Sequence, residues 1–174
     1  AIMLWWSPAI NRVLDPYLVV LNALPKIALG PILIVWFGAG ITSIIVMALL
    51  ISFVVTIMSV LAGFNEITGE KQLLMKTLGA SKLQIFTMVV LPASLPTIMN
   101  ALKISVGMSW VGVIVGEYLV SKAGLGYLIV YGGQVFKLDL VMASIVVLCL
   151  LAALMYYGVA YMEKKLVKWR MHGG

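Results

Sequence analysis

The chain of 174 residues has little of what covers the surface of a soluble domain. Charged residues make up 10% of it, against about 25% in an average soluble protein. Asp and Glu together number only 6. Cysteine occurs once, as Cys149, and histidine once, as His172. A single cysteine cannot close an internal disulfide, and one histidine with one cysteine cannot assemble a His/Cys metal cluster. No Gly-Lys-Ser/Thr phosphate loop is present, and no basic start leads into a short apolar run with a small-residue cleavage site. These absences exclude a soluble enzyme, a disulfide scaffold and a disordered tail.

What is present is apolar. Hydrophobic residues account for 63% of the chain, and the mean hydropathy is +1.13. A soluble core of this size cannot absorb that much apolar surface, whereas a bilayer can. A span needs about 20 mostly apolar residues. The pattern predicts spans at residues 17–37, 41–62, 96–120 and 140–161, the first kinked by Pro25 and Pro31. A polar segment, 63–84, separates the second and third spans. A glycine-rich segment, 121–139, separates the third and fourth. The chain opens inside an apolar, aromatic stretch, Ala1 to Trp6, so one or two further spans are expected upstream. The expectation is one transmembrane domain over residues 1–174.

The formal net charge of +6 points to a membrane protein's basic loops and not to nucleic acid. Lys71, Lys76 and Lys82 lie in the 63–84 loop, and Lys164, Lys165, Lys168 and Arg170 lie in the tail. The positive-inside rule therefore puts that loop and the C-terminus in the cytoplasm. Lys26 and Lys103 then fall near cytoplasmic helix ends, where they can snorkel. Trp5, Trp6, Trp36 and Trp169 are expected to anchor at the bilayer interface.

The most specific segment starts at Lys76-Thr-Leu-Gly-Ala-Ser-Lys82 and continues to Val89, Leu91 and Pro92. It reads as a short amphipathic helix with Leu73, Leu74 and Leu78 on one side, a break at Gly79, a second short helix, and a proline opening the next span. A helix with such an apolar side either packs on its own bundle or needs a partner to cover it.

Gly79, nine residues and then Val89-x-Leu91-Pro92 resembles the EAA loop of ABC-transporter permeases of the type I importer fold. That loop runs Glu-Ala-Ala, three residues, Gly, nine residues, Ile-x-Leu-Pro. Leu24-Pro25-Lys26 to Pro31, Gly116-Glu117-Tyr118 and Gly124-Leu125-Gly126-Tyr127 also resemble the branch importing nitrate, sulfonates and taurine. At the Glu-Ala-Ala positions the chain has Leu73, Leu74 and Met75, and the nearest acid, Glu70, sits one turn earlier.

The resemblance implies an all-α membrane protein, a polytopic helical bundle with about four of the branch's six spans present. It implies a multi-pass permease of a bacterial or archaeal inner (plasma) membrane, working by alternating access as a homodimer. The partners implied are a cytoplasmic ABC ATPase and an extracytoplasmic substrate-binding protein. The chain itself would carry no catalysis and no cofactor, ATP and Mg belonging to the ATPase. Contact with that ATPase would fall to Leu74, Lys76, Leu78, Gly79, Ala80, Ser81, Lys82 and Pro92. The cargo implied is a nitrate-, sulfonate- or taurine-like anion.

Two stripes recur at helical spacing: Ser52, Thr56, Ser59 and Gly63, and then Ser105, Ser109, Gly112 and Gly116. Small residues let helices approach closely, and the same hydroxyls could line a mildly polar path. Glu117, an acid near the end of a span, is a candidate for a structural or gating role, with Lys122 as a possible partner. Residues 124–133 should form a turn and a short re-entrant or interfacial helix. An ion-coupled secondary transporter and a non-transporting scaffold are the alternatives. The first would need buried acids around an ion site.

Overall fold

Long apolar runs without strand alternation fold here as helices, and among the described residues there is no strand. The computed structural model describes residues 1–67, 69–120 and 122–167, with the side chains of Leu166 and Val167 left aside. Lys168, Trp169, Arg170 and His172 lie outside the described residues.

The chain begins with α1 (Ile2–Trp6) and α2 (Pro8–Ala23). Ser7 caps α2 by accepting from Ile10 N–H at 3.4 Å, and Pro8 takes the first helical position, where its missing donor costs nothing. Next come a 3-10 turn (Lys26–Leu29) and α3 (Gly30–Phe37). The expected kinked span over 17–37 is instead two helical pieces bent by 83°, with the first starting at Pro8. Pro25 disfavours helical backbone at Leu24, which is extended (ψ 138°). Lys26 does not reach out freely. Its ammonium donates to the Asn22 carbonyl at 3.0 Å, satisfying an orphan acceptor in the last turn of α2.

α4 (Ile41–Asn65) and α9 (Leu138–Val167) are unbroken helices that contain the expected spans 41–62 and 140–161. Between them lie α5 (Gly69–Thr77), α6 (Lys82–Ile85), a π turn (Phe86–Val90), α7 (Leu91–Val120) and α8 (Leu125–Gln134). The span expected at 96–120 is therefore the far part of one continuous helical rod, Lys82–Val120. Pro92 does not open that rod; it lies within it, just after the π turn. Pro92 has no N–H to give, and in the turn before it the backbone widens, so that Leu91 N–H bonds the Phe86 carbonyl five residues back.

α4 and α7 form the centre of the bundle and run antiparallel in strict register. Ile44 meets Gly116, Ala48 meets Gly112, and Gly63 meets Thr97. Nineteen steps on one helix match nineteen on the other, an apposition about 28 Å long. α3 packs beside this pair through Leu33, which joins Met47 and Ile51 in one buried cluster. At the other end Phe64, Ile85, Phe86 and Val90 form a second cluster, with Trp5 packed against it. Trp5 is thus half-buried against the bundle: its ring lies 5.0 Å from Phe86. α9 is tied to α7 by an ion pair between Lys103 Nζ and Glu163 Oε2 at 2.5 Å, with Tyr156 beneath the ammonium at 5.8 Å. Lys103 therefore has a partner on α9 where snorkelling was expected.

Candidate functional site

The segment from Gly69 to Gln84 is built to hold a short helix at the edge of the bundle, one side packed and the other bare. α5 ends in a Schellman motif: Ala80 N–H bonds the Met75 carbonyl and Gly79 N–H bonds the Lys76 carbonyl, both at 3.0 Å. This closure needs a left-handed residue, and Gly79 supplies it at φ 80°. Ser81 then caps α6. Its hydroxyl accepts from Gln84 N–H while the Gln84 side chain accepts from Ser81 N–H at 2.8 Å, a reciprocal capping box. The Ser-x-x-Gln signature for that box, Ser81 to Gln84, is visible in the sequence.

The two faces of α5 have opposite fates. Met75 and Ala80 turn toward the Phe64–Phe86 cluster. Leu73 and Leu74 are each 61% exposed, and Leu78 is 73% exposed. Leu83, on the next turn of the structure, is exposed as well. Lys76 and Lys71 flank these leucines and are exposed too. Lys82 behaves differently: its ammonium donates to the Trp6 carbonyl and sits over the Trp5 and Trp6 rings, at 5.6 and 5.3 Å. Of the residues assigned to coupling, Leu74, Lys76, Leu78, Gly79 and Ser81 are exposed around α5 and its turn, Ala80 is partly covered, Lys82 bridges back to α1, and Pro92 lies in the rod behind. Gly63, Glu66, Lys71 and Thr97 line a cleft of about 330 Å³ beside α5.

The hydroxyl stripes do not bond across helices. Ser52 donates to the Ala48 carbonyl at 2.9 Å, Thr56 to Ser52 at 2.7 Å and Ser109 to Ser105 at 2.8 Å, each back into its own helix. The glycines of the stripes do the close packing. Ser52 is buried, and Thr56, Ser59, Ser105 and Ser109 are half-buried. Ser105 and Ser109 line a cavity of about 310 Å³ with Trp110 and Met155, where the Trp110 Nε1 is buried without a partner. Nothing in the spacing of one helix could have brought Met155 of α9 to that cavity.

Glu117 is not paired with Lys122. Its carboxylate accepts from Gly126 N–H at 2.7 Å and so pins the start of α8 to α7. Gly124 (φ 112°) lies so close that an added Cβ would overlap the carboxyl group. α8 is the short helix expected of this segment, packed between α7 and α9. Glu117→Ala is expected to lower the thermal midpoint in detergent, because a part-buried N–H loses its acceptor at a cost of about 1–3 kcal/mol. Glu117→Gln, which keeps an acceptor oxygen, should lose clearly less. Equal melting of the alanine variant and the parent would refute this role.

Among the described residues no group of three or more His, Cys, Asp or Glu is placed to hold a metal. The helices α4, Lys82–Val120 and α9 are each long and apolar enough to cross a membrane, and the bent pair α2 and α3 could supply one more.

The family model described as binding-protein-dependent transport system inner membrane component matches residues 1–168. The chain is 32% identical to the taurine transport system permease protein TauC of Escherichia coli over 96% of its own length and 60% of the relative's. It is 31% identical to the formylaminopyrimidine transport permease protein ThiX of Halalkalibacterium halodurans, covering 98% of this chain and 68% of that one. A putative aliphatic sulfonates transport permease protein, SsuC of Bacillus subtilis, is 30% identical over 97% of this chain and 61% of its own length. The chain thus spans about 60% of the taurine and sulfonate relatives it matches.

Proposed function

The chain belongs to the binding-protein-dependent transport system inner membrane components, a family of helical ABC importer permeases, and on that premise we propose that it forms the solute path of an ATP-driven importer. In this reading α5 is the handle through which a separate ATPase acts. The observation that carries it is the exposure of Leu73, Leu74 and Leu78 on a helix whose other side is anchored in the bundle. Water does not favour three neighbouring bare leucines, and a partner groove that covers them removes that cost. The Schellman turn at Gly79 and the capping box at Ser81 make the handle stiff enough to pass a movement to the rod Lys82–Val120.

Two copies related by a two-fold axis would enclose the path, since two-fold dimers are the commonest closed arrangement of homo-oligomers. In this reading α5 and the C-terminus lie in the cytoplasm, supported by Lys71, Lys76 and Lys82 around α5, and a binding protein would deliver solute at the opposite face. ATP would bring two ATPase subunits together, move the two α5 helices with them and open the path outward. Hydrolysis would return it. The cargo we assign is a small anion of the nitrate, sulfonate or taurine kind, supported by the taurine and sulfonate relatives. Glu117 gives an ion-coupled carrier little support, because its carboxylate is engaged by the Gly126 backbone.

The test is uptake into proteoliposomes holding the full-length permease with its ATPase and binding protein. Labelled taurine or an alkanesulfonate should accumulate with ATP and Mg and not without them. Uptake driven by a proton or sodium gradient in the absence of ATP would overturn the importer reading. ATP-driven uptake of a pyrimidine in place of the anions would overturn the cargo alone.

A further inference from the structure

Two helices of this chain end in the same motif, and the residues at the critical position differ. α5 closes on Gly79. α8 closes with Lys137 N–H on the Gly132 carbonyl at 2.8 Å and Phe136 N–H on the Gly133 carbonyl at 3.4 Å, so Phe136 holds the place that Gly79 holds in α5. Phe136 has φ 56°, and among the described residues it is the only non-glycine with positive φ. That backbone is strained for a residue with a bulky side chain. Nothing inside the protein repays the strain, because Phe136 is 87% exposed. Glycine or asparagine would hold the turn without the penalty, so the ring has to be useful outside the protein.

The dimensions of α9 say what lies outside. Asp139 lies in the first turn of the helix, Glu163 closes its apolar part against Lys103, and the stretch Leu140–Met162 between them has no charged residue. From Leu138 to Glu163 is roughly 38 Å along a straight helix. A hydrocarbon core is about 30 Å thick, and about 40–45 Å with its headgroups. With Glu163 at one boundary, Phe136 lies at the headgroup level of the other. α9 is hardly covered by the rest of the chain. Leu138 and Met142, 67% and 61% exposed, continue the apolar surface from Phe136 into that uncovered helix, and exposed Lys137 and Asp139 flank the ring at headgroup height.

We propose that Phe136 is an interfacial anchor. Its ring sits in the headgroup layer of the bilayer and fixes the depth of α9. A strained backbone is maintained because it directs an aromatic ring sideways into lipid at the one point where the chain turns from α8 into α9. Apolar rings flanked by charge are suited to that layer. The inference needs only a membrane around α9 and is independent of the cargo.

Spin labels test it in the full chain reconstituted in phosphatidylcholine–phosphatidylglycerol vesicles, with Cys149→Ser removing the exposed native thiol. Labels are placed singly at Phe136→Cys, Lys137→Cys and Met142→Cys, and depth is read from relaxation by oxygen against a water-soluble nickel chelate. The labels at 136 and 137 should report headgroup depth, and the label at 142 should lie about 9 Å deeper. Chelate access equal to that of free label in water would overturn the proposal. So would a spectrum immobilised by a second copy or a protein partner. Should Phe136→Cys fail to insert, the label at 137 decides by the same criterion. Phe136→Asn, which keeps the left-handed turn and removes the ring, should shift the label at 142 to a shallower depth. An unchanged depth would show that the ring anchors nothing.

Discussion

Gly112→Ala is expected to cost the protein a large share of its stability, whereas Gly107→Ala, on the same helix, is expected to help it. A Cβ at Gly112 would overlap the Cα of Ala48 and lie 2.9 Å from its backbone nitrogen. Side chains can yield to an added methyl at a cost of roughly 1–3 kcal/mol. Here a backbone must yield, and moving it parts α4 from α7 along an apposition about 28 Å long. Lipid supplies no hydrophobic drive to press two apolar helices together, so close packing and the dispersion it gains must hold them. A loss of about 3 kcal/mol or more is therefore expected, a large share of the ~5–15 kcal/mol that a domain has. At Gly107 a Cβ meets nothing within 4 Å, and alanine gains up to about 1 kcal/mol in a helix interior. Thermal melting of the two purified variants in detergent, scored by fluorescence-detected gel filtration, gives the comparison. Similar midpoints would mean that α4 and α7 are not apposed through Gly112.

The sequence shows most clearly what depends on local composition. α4 and α9 stand out because Ile41–Ala62 and Leu140–Tyr161 contain no charge at all. The reversal at Gly79 is legible because one glycine between two short amphipathic stretches leaves the chain few alternatives. The rod Lys82–Val120 was harder to see, because Gln84, Thr87, Ser94, Thr97 and Asn100 lower its hydropathy and two prolines suggest breaks. Three of these are satisfied locally: Gln84 caps α6 with Ser81, Ser94 donates to the Val90 carbonyl at 2.8 Å and Thr87 to the Leu83 carbonyl at 2.9 Å. The π turn absorbs the gap at Pro92. The first span was legible as kinked, but an 83° bend depends on what α3 packs against, and that contact is not local. The same limit applies to Lys82 on Trp6, to Lys103 on Glu163 and to Glu117 on Gly126. In the first two pairs the partners lie 76 and 60 residues apart. In the third the acceptor's partner is a backbone N–H, which carries no residue signature.

If α5 is the handle proposed above, Leu74→Asp should separate its part in folding from its part in docking. The side chain is 61% exposed and takes no part in the Phe64–Phe86 cluster, so the free permease should lose no more than the roughly 0.5–0.7 kcal/mol by which aspartate is the poorer helix former. In the assembled importer the same position would face the ATPase groove. A carboxylate forced into an apolar contact costs several kcal/mol unless a partner cation meets it. The ATPase should then bind about 100-fold more weakly, a loss of roughly 2.7 kcal/mol. Leu74→Ala, which removes contact area without adding charge, should cost about 10-fold, near the smaller end of interface truncations. The pattern to look for is a normal melting curve of the permease alone, graded loss of ATPase co-purification from leucine to alanine to aspartate, and uptake falling in the same order. The absent acid at Leu73–Met75 sharpens the expectation. A groove that paired with a glutamate would welcome the new aspartate, whereas a groove matched to bare leucine rejects it. Unimpaired assembly of Leu74→Asp, with Leu74→Ala weakened, would show that the partner meets this helix with positive charge after all. Unimpaired assembly of both would show that the exposed leucines of α5 are not where the ATPase holds on.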